Sequence, residues 1–213
     1  MANSNLPMAL TLARIAAGPL VAGLVLWGAS ETYLDPPQAG LILVCAGALF
    51  VLAAITDWLD GYLARSMDAV SPLGAALDHC ADKVLITCVL VALAFQSLPL
   101  NLIIAAILLL GRDLFVAGLR EGLSASGRTL PVGALGKWKA AAAMIGVAAL
   151  IFEQAAYLDR APDLIYYATA WTARAGLWAA VALALVSGWD YVAAALRPAP
   201  KAASVEPAEL DRV

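Results

Sequence analysis

Asp57-Trp58-Leu59-Asp60-Gly61-Tyr62-Leu63-Ala64-Arg65, followed after a short polar break by Gly74-Ala75-Ala76-Leu77-Asp78-His79-Cys80-Ala81-Asp82-Lys83, decides how this chain is read. Both stretches sit at the ends of long apolar runs rather than in polar loops. A charge at the centre of a membrane helix costs roughly 2.5–3.5 kcal/mol on insertion scales. Near the interface the cost is smaller, but four acids facing lipid would still be a heavy load. They must face a wet cavity or a counter-charge.

Working outward, the surroundings are those of a membrane protein. Of 213 residues, 63% are hydrophobic and 14% charged, with a mean hydropathy of +0.84. Soluble domains carry about 25% charged residues. A spanning helix needs about 20 mostly apolar residues, and the sequence predicts six: 8–28, 38–63, 77–98, 100–121, 135–156 and 172–196. Pro and Gly cluster at the breaks between them, as helix ends require. The expected fold is therefore an all-α integral-membrane bundle over 1–197, with a Pro/Ala/Glu-rich disordered cytoplasmic tail at 198–213.

Orientation follows from the basic residues. Arg65, Arg112, Arg120, Arg128, Lys137, Lys139, Arg197, Lys201 and Arg212 fall on one side, against Arg160 and Arg174 on the other. Both termini are expected in the cytoplasm. No Lys or Arg precedes Arg14, so the first apolar run reads as a span rather than a cleaved signal. Cys45, Cys80 and Cys88 lie in apolar stretches and read as small buried hydrophobes. The net charge of -3, with no basic patch on an exposed domain, gives no footprint for nucleic acid. No internal repeat supports an inverted-repeat transporter.

Helical spacing groups the acids. Asp57 and Asp60 are one turn apart, and Gly61 and Ala64 complete their face. Gly74, Asp78 and Asp82 recur every four residues and share a face of the next helix. The short connection makes a hairpin that brings the two faces together. Four converging carboxylates repel one another. Divalent cations relieve that repulsion, and all-oxygen ligands suit Mg²⁺ or Mn²⁺. Such ions usually keep positions open for phosphate oxygens, and a pair of them could clamp a pyrophosphate. His79 and Cys80 point about 100° and 200° away from Asp78, so zinc is not expected. Salt bridges to Arg65 and Lys83 would account for one acid at a helix end, not for four on matched faces.

The spacing Asp57-x2-Asp60-Gly61-x2-Ala64-Arg65-x8-Gly74-x3-Asp78-x3-Asp82 resembles the signature of the CDP-alcohol phosphatidyltransferases at all eight fixed positions. The resemblance implies six membrane helices, a homodimer, and a site opening to the cytoplasm of the cell (inner) membrane. It implies that Asp57, Asp60, Asp78 and Asp82 hold two metal ions and that Asp82 is also the general base. It places Asp57, Asp60, Gly61, Ala64, Arg65, Gly74 and Asp78 around the CDP-lipid.

Asn5-Leu6-Pro7, Leu10-Thr11, Arg14, Gly111-Arg112-Asp113, Leu119-Arg120-Glu121 and Gly136-Lys137-Trp138-Lys139 are similar to family members that form phosphatidylglycerophosphate. The resemblance implies CDP-diacylglycerol and glycerol 3-phosphate as substrates. Arg112, Arg120, Lys137 and Lys139 suit the acceptor phosphate, since Arg forks and Lys point charges both bind phosphate. Met8, Asp113 and His79 depart from residues common in the family, outside the eight-position signature. Acceptors such as serine, inositol phosphate or phosphatidylglycerol are the alternatives within the family. An intramembrane prenyltransferase and a cation transporter are the alternatives outside it.

Overall fold

The structure is a computed structural model that describes residues 5–66, 72–96, 98–125 and 134–196; side chains are described except at 5–7, 57–66, 72–76, 78, 79, 134, 190 and 194. The described residues form six α-helices: α1 (Asn5–Glu31), α2 (Pro36–Ser66), α3 (Pro72–Phe95), α4 (Leu100–Ala125), α5 (Ala134–Leu158) and α6 (Asp163–Leu196). The expected tail at 198–213 lies outside the described residues.

Five of these helices are long and apolar enough to cross a membrane: Met8–Glu31, Pro36–Thr56, Leu100–Ala125, Leu135–Leu158 and Asp163–Ala193. In α3 the charged residues Asp78, Asp82 and Lys83 all lie in the first half. The remainder, Val84 to Phe95, is continuously apolar apart from Thr87.

Local chemistry sets the helix boundaries. Asp35 caps α2, its Oδ1 accepting from the Gln38 amide at 3.2 Å, and Pro36 occupies the first helical position, where its missing N–H costs nothing. α6 begins at Asp163, nine residues before the span at 172–196, and α3 begins five residues before its span. Apolar content marks where a helix meets hydrocarbon, whereas backbone hydrogen bonding continues into the interface. There the Ile165 and Tyr166 amides donate to the Pro162 carbonyl. α5 ends in a Schellman turn, with the Ala161 amide donating to the Ala156 carbonyl at 2.9 Å and Arg160 to Tyr157 at 3.3 Å. Arg160 sits at φ 48 in this turn, a conformation that favours glycine.

α1 packs on α2 and α3, α2 on α5, α5 on α6, and α6 on α4. The buried stripe of α1 runs Thr11, Arg14, Gly18, Val21 and Val25, at alternating steps of three and four residues. At Gly18 the helices nearly touch: a Cβ there would stand 3.2 Å from the Leu85 Cα. The α5–α6 crossing is tighter still. A Cβ on Gly146 would lie 2.7 Å from the Leu177 amide nitrogen, and one on Gly176 would lie 2.8 Å from the Gly146 Cα. Small residues at such crossings let backbones approach where hydrophobic burial gives no net drive, because lipid is as apolar as the core. Consistent with that solvent, Phe95, Leu114 and Leu164 each stand more than three-quarters exposed on the outside of the bundle.

Candidate active site

The last turns of α2 carry Asp57, Asp60, Gly61, Ala64 and Arg65, and the first turns of α3 carry Gly74 and Asp78. The side chains of these seven residues lie outside the described set. Asp82, one turn further along α3, is described, and so is its surprise partner. Arg14 of α1 is fully buried, and its Nη1 lies 3.7 Å from Asp82 Oδ1, while the Asp82 side chain is 26% exposed. The close approach at Gly18, one turn along α1 from Arg14, makes this pair possible. It lets α1 settle against the α3 backbone beside Asp82. A guanidinium with no exposure is tolerable only against a carboxylate and hydrogen-bonding groups.

Asp82 therefore presents a partly open carboxylate braced from behind. Its carboxylate oxygens are the donor type that a hard divalent cation takes, and Asp57 and Asp60 on α2 and Asp78 on α3 would add donors of the same kind. Among the described residues no group of three His, Cys, Asp or Glu side chains comes together, since three of the four aspartates fall outside them. Cys80 is exposed and Cys88 half-buried, as is Cys45 exposed, so the expectation that all three are buried holds for none of them fully. Lipid-facing positions on a membrane helix serve an apolar thiol equally well.

A second cluster joins α4, α5 and α6. Arg112 donates from Nε to the Ala184 carbonyl at 2.7 Å, from Nη2 to Ser187 Oγ at 2.8 Å, and from Nη1 to Asp113 Oδ1 at 3.2 Å. Lys139 donates from Nζ to both Asp113 oxygens, at 2.6 and 2.5 Å. Arg120 donates to the Tyr191 hydroxyl at 2.9 Å. Both guanidiniums lie over the Tyr191 ring, at 5.9 Å for Arg112 and 5.4 Å for Arg120, a cation–π arrangement. Lys83, next to Asp82, lies within electrostatic range of Asp113, Lys139 and Arg120.

Of the four cations expected at a phosphate, Arg112, Arg120 and Lys139 thus share one neighbourhood, whereas Lys137 is exposed at the start of α5. Arg112 spends much of its donor capacity clamping α4 to α6. The residues given no role from the sequence are Arg14, Asp113, Ser187 and Tyr191. Arg14 and Asp113 stand in the motifs that carried the resemblance, but without their partners. Ser187 and Tyr191 gave no signal, because they act through contacts more than 70 residues away in sequence.

Among the described residues the arrangement combines the Asp82 carboxylate, braced by Arg14, with a cluster of cations on α4 and α5. That is the equipment for displacement at a phosphate ester. The profile of the CDP-alcohol phosphatidyltransferase family matches residues 4–186. A Cereibacter sphaeroides protein named CDP-diacylglycerol–glycerol-3-phosphate 3-phosphatidyltransferase is 35% identical, covering 91% of this chain and 96% of the relative. A Bacillus subtilis protein of the same name is 38% identical over 88% of this chain and 93% of its own length. A rice protein named cardiolipin synthase (CMP-forming) is 34% identical over 69% of this chain but 45% of its own.

Proposed function

The chain belongs to the CDP-alcohol phosphatidyltransferase family, and on that premise we propose that it transfers the phosphatidyl group of CDP-diacylglycerol to sn-glycerol 3-phosphate. The products are phosphatidylglycerophosphate and CMP, a step of phospholipid biosynthesis. The observation that carries the choice of acceptor is the gathering of Arg112, Arg120 and Lys139 around Asp113 and Tyr191. A dianionic acceptor gives such a cluster its purpose, and the names of the Cereibacter and Bacillus relatives point the same way.

In this reading Asp82 takes the proton of the acceptor hydroxyl. The resulting oxygen attacks the phosphorus that bears diacylglycerol, the bond from that phosphorus to the CMP oxygen breaks, and CMP leaves with the bonding electrons. Arg14 holds the Asp82 carboxylate at a fixed place behind the reacting oxygen. Gly61, Ala64 and Gly74 leave room for the cytidine nucleotide against the helix backbones, and Arg65 meets its phosphates. Arg112, Arg120 and Lys139, with Lys137 at the rim, hold the acceptor phosphate.

Members of the family use divalent metal ions. Two Mg²⁺ or Mn²⁺ ions, held by Asp57, Asp60, Asp78 and Asp82, would supply charge neutralisation for the pyrophosphate and the departing nucleotide. The proposed protein is a homodimer with six spans per chain in the cell (inner) membrane. α3 is the sixth, its charged first half wetted by the site. The excess of Lys and Arg on one side supports cytoplasmic termini and a cytoplasmic site.

Purified protein supplied with CDP-diacylglycerol, Mg²⁺ or Mn²⁺ and a panel of acceptors tests the reading by following CMP. Glycerol 3-phosphate is expected to give the fastest release. Preference for serine, inositol phosphate or phosphatidylglycerol would overturn the acceptor, and release of pyrophosphate in place of CMP would overturn the reaction class.

A further inference from the structure

At the end of the bundle opposite Asp82 lies an open cavity of about 400 Å³, lined by the end of α1, the α3–α4 turn, the end of α5 and the start of α6. Phe95 on its wall is thirteen residues along α3 from Asp82, about 20 Å at helical rise. The volume lies within the range of small-ligand sites, about 300–1,000 Å³. Nothing in the phosphatidyl transfer uses it.

Three features define what it would take. Its lining is amphipathic: Leu98, Leu102 and Leu150 on one part, Gln96, Glu153 and Gln154 on another. The lining includes no Lys, Arg or His, whereas Glu153 contributes a carboxylate. Arg174, the cation nearest that carboxylate, is committed to Glu153 Oε1 at 2.9 Å and to the Ala170 carbonyl at 2.7 Å. Gln154 Oε1 is buried with no hydrogen-bond partner, an acceptor held at the cavity wall in want of a donor. Its terminal torsion is soft enough to turn toward one. Tyr33, Tyr157 and Tyr166 complete the wall. With Arg174 held on Glu153 Oε1, the acceptors left at the wall are the second Glu153 oxygen and Gln154 Oε1, which suit a ligand that donates, such as an ammonium.

The depth is that of lipid headgroups. Trp27, Tyr33, Tyr157, Tyr167 and Trp171 all stand half or more exposed around this end of the bundle, the aromatic belt of a membrane interface. We propose that the cavity is a binding site for a phospholipid whose headgroup carries a primary ammonium. The ammonium donates to Glu153 and Gln154, and the glycerol end lies along the leucines.

The test is native mass spectrometry of the detergent-purified protein titrated with phosphatidylethanolamine, phosphatidylcholine or phosphatidylglycerol. Charge-assisted hydrogen bonds predict retention of the ethanolamine lipid about tenfold above the other two. Glu153→Gln should erase that preference. So should Ala29→Phe, which narrows the cavity from α1 while leaving both members of the Glu153–Arg174 pair unsubstituted, and covers the case in which the first variant fails to fold. CMP release by both variants should stay at the parent rate, which separates failure here from failure of the transferase reading. Equal retention of the three lipids, preference for phosphatidylglycerol, or an unchanged preference in a folded Ala29→Phe protein would overturn the proposal. Displacement of the lipid by millimolar free ethanolamine would overturn the assignment to a phospholipid.

Discussion

Arg14 of α1 and Asp82 of α3 form an ion pair at 3.7 Å in which the cation is wholly buried and the anion partly open. The asymmetry gives the two residues different duties. Arg14 cannot reach solvent or substrate past its own packing, so it acts through Asp82. Asp82 keeps part of its carboxylate open, and in the proposed reaction that part faces the acceptor.

Removing the buried partner should therefore be costly twice. Breaking a buried pair from one side costs about 3–5 kcal/mol, so Arg14→Leu should lower thermal stability markedly in detergent. Arg14→Lys keeps the charge and should regain most of that stability. It should still turn over more slowly with KM little changed, because a point charge does not fix the carboxylate as a planar fork does. Parallel melting curves and CMP kinetics check this; full activity in Arg14→Leu would remove Arg14 from the positioning role.

Within the aspartate set, two substitutions should separate. Asp82→Asn should abolish turnover while CDP-lipid binding stays measurable, because a general base contributes about 10²–10⁴ in rate. Asp57→Asn should raise the Mg²⁺ or Mn²⁺ concentration needed for half-maximal rate. Metal titrations of the two variants decide it, and a near-normal rate in Asp82→Asn would end its assignment as base.

The α5–α6 crossing predicts a stability contrast between glycines. Gly146→Ala places a methyl 2.7 Å from the Leu177 amide nitrogen, and overpacking of that kind costs typically about 1–3 kcal/mol. Gly118→Ala on α4 meets nothing within 4 Å and should be neutral or stabilising by up to about 1 kcal/mol. Denaturation in mixed micelles orders the two variants.

The turn after α5 offers a gain. Arg160 holds a left-handed conformation at φ 48, which costs an L-residue roughly 1–2 kcal/mol. Arg160→Gly should raise the melting temperature without altering CMP release. A lowered melting temperature would mean that the Arg160 side chain makes a compensating contact.

How far the sequence could be read depended on the range of each interaction. The helices and the aspartate spacing were legible because apolar runs and steps of three and four residues are local. Helix ends in the interface were missed, as at Asp163, because Tyr166, Tyr167 and Thr169 look like a polar break yet continue the backbone ladder. The cations Arg112, Arg120 and Lys139 could be picked out by type, but not their partition. That Arg112 clamps α6 while Lys139 sits on Asp113 is a property of tertiary packing. Arg14 looked like one charge in the first span, and only the α1–α3 contact at Gly18 gives it Asp82.

The clamp from Arg112 to Ala184 and Ser187 bridges more than 70 residues, and α6 is the helix on which α4 chiefly packs. A chain emerging from synthesis thus inserts α4 well before α6 exists to receive it. Until then Arg112 carries a charge in or near the bilayer without its three α6 contacts, an arrangement expensive enough to keep α4 shallow or attended by water. The last helix to be made is therefore the one that seats α4, and truncation before Ala184 should leave an inserted but unfinished bundle.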